Sequence, residues 1–122
     1  MTEINVLNKK FQKEINAGVT SLVLLSVMAQ ADDPLYGYQI AKQLSTDEEG
    51  APAMKQGALY PVLRSLEKGS LLKSMVEPSA SGPPRRYYSI TSNGRKILTE
   101  WIKLWEKTKN FVDNTLGGEK NE

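Results

Sequence analysis

Fourteen consecutive residues, Gly18 to Ala31 (GVTSLVLLSVMAQA), carry no charge, between the charged Lys9–Glu14 stretch and the acidic pair Asp32-Asp33. Such a run has to leave water. Crossing a bilayer takes roughly 20 apolar residues, whereas this run is shorter and holds Thr20, Ser21, Ser26 and Gln30. A secretory signal fits no better, because the run starts after charged residues and lacks a small-residue cleavage pattern. The remaining solution is a buried helix with the rest of a domain packed around it. The expected protein is soluble and cytoplasmic, with no membrane partner. At 122 residues, 39% hydrophobic and 25% charged, the chain suits one globular domain of about 100–150 residues.

The sequence has no cysteine and no histidine. Disulfides, thiol chemistry and cysteine metal sites are thereby excluded, and so are the commonest general base and metal ligand. No cofactor, metal site or catalytic residue is expected, and Glu67-Lys68 reads as helix-end surface rather than an acid–base pair. The chain reads as a binding protein, not an enzyme.

Ile4, Leu7, Phe11 and Ile15 recur at three- and four-residue spacing, which predicts an amphipathic helix over residues 1–17. Gly18 is expected to separate it from the apolar helix at Val19–Gln30. After the Asp32-Asp33-Pro34 turn, Tyr36, Ile40 and Leu44 form one face of a further helix, ending near Ser45 ahead of the acidic Thr46–Pro52 segment. Gln56–Lys68 is a third helix with Leu59, Val62, Leu63 and Leu66 on its buried face. Gly69 is its expected left-handed stop, and Pro61 implies a helix start close by. Leu71–Glu77 and Arg86–Thr91 read as paired strands around a turn-rich loop, Pro78–Pro84. With Thr91 or Ser92 as N-cap, a long helix runs to about Leu116, followed by a polar tail over 117–122.

Charge sharpens this outline. Residues 1–50 carry −3, residues 51–96 carry +6, and residues 97–122 carry −1. All four arginines (Arg64, Arg85, Arg86, Arg95) lie in the basic block, and arginine suits bidentate contacts to phosphate and guanine. Three short helices followed by a hairpin is the order of a winged helix-turn-helix, whose third helix enters a DNA major groove. The expected fold class is mainly α (α+β): a winged helix-turn-helix over 18–91, an N-terminal helix, and a C-terminal dimerisation helix over 92–116. Lys55, Gln56, Tyr60, Arg64 and Lys68 bring DNA-contacting chemistry to the third helix, and Arg85-Arg86 bring it to the wing.

Three blocks then resemble the PadR family of bacterial transcriptional regulators: LYGYQIAKQL (Leu35–Leu44), QGALYPVLRSLEKGSLL (Gln56–Leu72) and GPPRRYYSITSNGRKIL (Gly82–Leu98). The resemblance implies a homodimer that binds double-stranded DNA at a palindromic operator and represses. Carried over, the family's DNA face implies Tyr38, Gln39, Lys42, Lys55, Gln56, Tyr60 and Arg64, with Gly82, Arg85 and Arg86 from the wing. Two departures stand out: Ala53-Met54-Lys55-Gln56-Gly57 where members often have a short Ser/Pro lead, and Ser70 in a turn where Glu-Gly-Leu is commoner.

The last helix carries Ile97, Leu98, Trp101, Ile102, Leu104, Trp105, Phe111 and Val112. That stripe is too broad for one intramolecular contact, and pairing with a second copy is the simplest way to cover it. Trp101 and Trp105, with Ile97 and Leu104, admit two readings: interface core, or the lining of a site for a small planar aromatic inducer. Similarity to short PadR members that end after this helix implies the second, with Trp105 the closer positional match. The competing functional reading is a winged-helix module for protein–protein interaction. The +6 block disfavours it, since such a module has no need for that charge.

Overall fold

The computed structural model describes residues 2–44 and 56–118. In chain order these form α1 (Thr2–Gln30), β1 (Leu35–Tyr36), α2 (Gly37–Leu44), α3 (Gln56–Lys68), β2 (Leu72–Ser79), β3 (Gly82–Ile90) and α4 (Ser92–Gly117). The acidic Thr46–Pro52 segment, Lys55 and the Gln56 side chain lie outside the described residues, as does the tail from Glu119.

The charge-free run is a core helix, with Leu24, Leu25 and Met28 buried on one face of α1. Around them pack Ile40 of α2, Leu59, Leu63 and Leu66 of α3, Leu71, Leu72 and Tyr88 of the hairpin region, and Leu98 of α4. Each fully buried leucine contributes about 1.5–3 kcal/mol, which is what joins the helices, the sheet and α4 into one unit. The sheet is antiparallel in the order β1-β3-β2. Leu35 and Tyr36 pair with Tyr88 and Tyr87, while Leu72 to Glu77 pair with Ile90 to Arg85.

Several local expectations are corrected. Gly18 does not separate two helices, because α1 runs unbroken through it. A mid-helix glycine costs only about 1 kcal/mol relative to alanine, and the Thr20 hydroxyl, bonded to the Asn16 carbonyl, spans the site. Tyr36 belongs to β1 rather than to the helix after it. α3 has the expected bounds, Gln56–Lys68, and Pro61 is its sixth residue, in the second turn. The N–H it lacks would have reached the carbonyl of Gly57, an exposed residue with open space around it.

The stop of α3 falls on Ser70, not Gly69: Ser70 has φ 67° and is the only non-glycine residue with positive φ among the described residues. Leu71 N–H donates to the Leu66 carbonyl and Ser70 N–H to the Glu67 carbonyl, both at 2.9 Å. Those two bonds make a Schellman cap, and the buried Leu66 and Leu71 side chains accompany it.

The loop expected over Pro78–Pro84 contracts to Ala80-Ser81 between strands that run on to Ser79 and back from Gly82. The register shifts between Glu77 and Ser79, so Pro83 and Pro84 face Pro78 across an irregularity. Prolines are tolerated there because a bulge leaves backbone groups out of the ladder.

The N-cap of α4 is Thr91. Its Oγ1 accepts from Gly94 N–H at 2.8 Å and donates to the Ser70 carbonyl at 2.7 Å, while Thr91 N–H donates to the Leu71 carbonyl at 3.1 Å. The start of α4 is thus fastened to the turn that ends α3.

Candidate functional site

The exposed face of α3 carries Arg64 and Lys68, one turn apart and opposite the buried Leu59–Leu63–Leu66 stripe. Tyr60 sits differently. Its ring is half-buried, and a methyl placed on Gly37 would meet its hydroxyl oxygen at 2.5 Å and its Cζ at 2.8 Å. Gly37 therefore lets α2 and α3 approach closely, and Tyr60 fills the joint between them.

Arg85 and Arg86 are adjacent in sequence but lie on opposite faces of β3, as strand alternation requires. Arg86 faces α3: its Nη1 donates to Ser74 Oγ at 2.9 Å, and Ser74 Oγ–H donates to Glu67 Oε2 at 2.6 Å. This chain couples the end of α3 to both strands of the wing. Beneath it, the buried Tyr88 has its pKa raised, chiefly by burial. Nearby Glu67 and Tyr60 push it the same way, and the Arg86 and Arg64 guanidinium groups oppose it.

Arg85 faces the other way, with its guanidinium carbon 4.5 Å from the centroid of the Tyr36 ring. Tyr36 meets Tyr87 edge-on at 5.3 Å and stacks with Tyr38 at 6.4 Å between ring centroids. Tyr38 and Lys42 are both exposed on α2 and four residues apart. Gln39 Oε1 accepts from the Tyr36 N–H at 3.0 Å. With Tyr36 at the helix entrance and Gln39 three residues on, that bond is one half of a capping box. Gln39 is therefore occupied in holding β1 against α2. Gly82 is at the exposed tip of the wing, next to the Ala80-Ser81 turn.

The sequence thus pointed to Tyr38, Lys42, Arg64, Arg85 and Arg86 as DNA-face residues, and all five are exposed. It missed Tyr36, Ser74 and Glu67, which place the arginines. Strand pairing with β3 is the signal that finds Tyr36, and two residues of β1 are too few to read from periodicity.

A second feature lies along the helices. An open groove of about 840 Å³ runs between α1 and α4, lined by Phe11, Ile15, Trp101, Leu104, Trp105 and Val112, with Glu14, Lys109 and Asp113 at its polar rim. Pockets of about 300–1,000 Å³ suit small organic ligands. Lys109 Nζ donates to Asp113 Oδ2 at 3.0 Å, and that hydrogen bond raises the lysine pKa. The two tryptophans divide: Trp101 packs against the core at one end of the groove, and Trp105, 40% exposed, lies one turn further out beside Leu104. Ile97 packs against the core and does not line the groove. The first half of α1 leaves Ile4, Leu7 and Phe11 more than half exposed, and α4 leaves Leu104, Phe111 and Leu116 so.

Residues 24–100 match the transcriptional regulator PadR-like family. The chain is similar to the crystal structure of a PadR family transcriptional regulator from Eggerthella lenta, with a TM-score of 0.76 and 29% identity over 99% of this chain and 100% of that one. It is also similar to a PadR-like transcriptional regulator from Bacillus cereus, with a TM-score of 0.68 and 30% identity over 87% of this chain and 99% of that one. An uncharacterised protein of Lysinibacillus sphaericus is 29% identical over 88% of this chain and 96% of its own length.

Proposed function

The chain belongs to the PadR-like family of transcriptional regulators, and on that premise we propose that it is a repressor acting as a homodimer on a palindromic operator. The family is one of DNA-binding regulators, not enzymes, and no helix among the described residues is long and apolar enough to cross a membrane. The observation that carries the proposal is the exposed Arg64–Lys68 face of α3 beside a wing with an arginine on each side.

In this reading residues 18–91 are the DNA-binding unit, while residues 1–17 and 92–116 build the dimer. The apolar side chains left exposed along α1 and α4 supply the self-complementary surface that a two-fold pair needs. Two recognition helices then enter successive major grooves of double-stranded DNA in the cytoplasm. A small planar aromatic inducer occupies the α1–α4 groove against Trp105, and its binding changes the spacing of the recognition helices and lowers operator affinity.

The decisive experiment is a binding titration of operator against scrambled duplex at one salt concentration, with the dimer followed by light scattering. Arg64→Ala combined with Arg85→Ala is expected to weaken operator binding while the dimer persists. Equal affinity of wild type for operator and scrambled DNA would leave the interaction-module reading in its place. For the inducer, planar aromatic compounds should quench tryptophan fluorescence, and Trp105→Leu should lose most of that quenching.

A further inference from the structure

Arg85 is too far down the hairpin to be a tip residue. The tip is Ala80-Ser81, and three prolines at the register shift stand between it and Arg85. What lies next to Arg85 is the entrance of α2. The intermediary is Tyr36, which has four contacts: its N–H donates to Gln39, its ring meets Tyr87 at a steep angle and stacks with Tyr38, and the Arg85 guanidinium lies over its face.

We propose that Tyr36 is a positioning residue for DNA backbone recognition. Its ring contacts both the Arg85 guanidinium and the Tyr38 ring, so that guanidinium and phenol hydroxyl together engage the phosphates of one strand between the wing and α2. A free arginine samples many rotamers, and ordering it on contact with DNA costs binding free energy. A guanidinium already laid on an aromatic face keeps its N–H edge directed outward while losing little further freedom. Tyr38, 54% exposed, offers a neutral donor, and Lys42 adds a cation one turn along α2. An arginine, a tyrosine hydroxyl and a lysine are phosphate-binding chemistry with no base-reading geometry. Arg86 is on the opposite face and fastened to Ser74, so it belongs to the α3 side and cannot share this role.

The inference rests on the DNA-binding reading above, and the test separates the two. Because phosphate contacts are independent of sequence, the probe is a labelled mixed-sequence duplex, titrated by fluorescence anisotropy from about 50 to 200 mM salt. Tyr36→Phe keeps the ring and should bind within about twofold of wild type. Tyr36→Leu removes it but leaves the Arg85 charge, and should weaken binding about threefold with the log–log salt slope unchanged, the signature of lost pre-ordering rather than a lost cation. Arg85→Ala removes the cation itself and should weaken binding about five- to tenfold and lower the slope by about one, and the double variant should be no weaker than Arg85→Ala alone.

Effects that add in the double variant, or a Tyr36→Leu protein with wild-type affinity and slope, overturn the positioning role and leave DNA binding intact. A wild type with no salt-dependent affinity overturns both. Should Tyr36→Leu lose its folded circular-dichroism signal, Arg85→Lys decides. It keeps the charge but cannot lay a planar guanidinium on the ring, so affinity should fall about threefold with the slope unchanged, whereas undiminished affinity refutes the proposal.

Discussion

Replacing Gly94 with alanine tests whether the seat of α4 is rigid. A methyl built there falls on the Leu71 carbonyl oxygen and lies 2.7 Å from Ile90 Cγ1. Carbon atoms rest at about 3.5–4.0 Å, so the helix start and the turn after α3 must separate by roughly 1 Å. Backbone lies on one side of the clash, and no rotamer change relieves it. The separation also stretches three hydrogen bonds: Gly94 N–H to Thr91 Oγ1, Thr91 Oγ1–H to the Ser70 carbonyl, and Thr91 N–H to the Leu71 carbonyl. Overpacking costs about 1–3 kcal/mol and each weakened bond a fraction of about 1 kcal/mol.

The expected loss is therefore about 2–4 kcal/mol, a large part of the roughly 5–15 kcal/mol that holds a domain together. Urea unfolding followed by circular dichroism, at one fixed protein concentration because the stability of the proposed dimer depends on it, should give a lower midpoint with an unchanged slope. A loss below about 0.5 kcal/mol, typical of a surface substitution, would refute the reasoning, since α4 could then slide on the α3 turn at little cost. The same displacement re-aims α4 relative to α3. In the proposed dimer, Gly94→Ala should therefore also weaken operator binding under conditions where the variant is fully folded.

Ser70→Gly should stabilise the protein: relief of left-handed strain of about 1–2 kcal/mol outweighs the extra chain entropy of glycine, about 0.5–1 kcal/mol, and the melting temperature should rise by a few degrees. Gln39→Ala should cost about 1 kcal/mol in thermal unfolding through loss of its bond to the Tyr36 N–H. A variant that weakens DNA binding without lowering stability would instead make Gln39 a direct DNA contact. Tyr88 has its pKa raised above 10.0 by burial, so the unfolded chain loses that proton first. The contribution is complete below pH about 10 and is lost as pH rises through the folded value, and Tyr88→Phe should flatten that part of the alkaline stability profile.

The elements legible in the sequence were those whose apolar spacing reports burial directly: α1 from its charge-free run, α3 from Leu59, Leu63 and Leu66, and α4 from Thr91 onward. What escaped was set by pairing and by single backbone positions. β1 has two residues and exists because Tyr36 and Leu35 bond to β3, a partner some fifty residues away that no local period announces. The αL position of α3 fell on Ser70 because the Leu66–Leu71 contact fixes where the turn must close, and the neighbouring glycine, though better suited by itself, is one residue out of register.

The basic block shows the same limit in electrostatic form, because a sequence gives a charge its position along the chain but not its direction. Arg85 and Arg86 are neighbours whose side chains the strand sends to opposite faces, one onto Tyr36 and the other onto Ser74. Arg95 leaves the block altogether. Its Nη1 donates to the Ala29 carbonyl at 3.3 Å, at the end of a helix with no basic residue in its own last turn, where a cation also meets the negative end of the helix dipole. Arg64 alone among the four arginines lies on the open face of α3. The four arginines of the +6 block therefore divide into one on α3, two on the wing with separate supports, and one that ties α4 to α1. In the proposed function the first three of these arginines meet phosphate and Arg95 does not. Neutralising Arg95 should accordingly lower stability while changing the salt slope of DNA binding little, the reverse of what neutralising Arg64 should do.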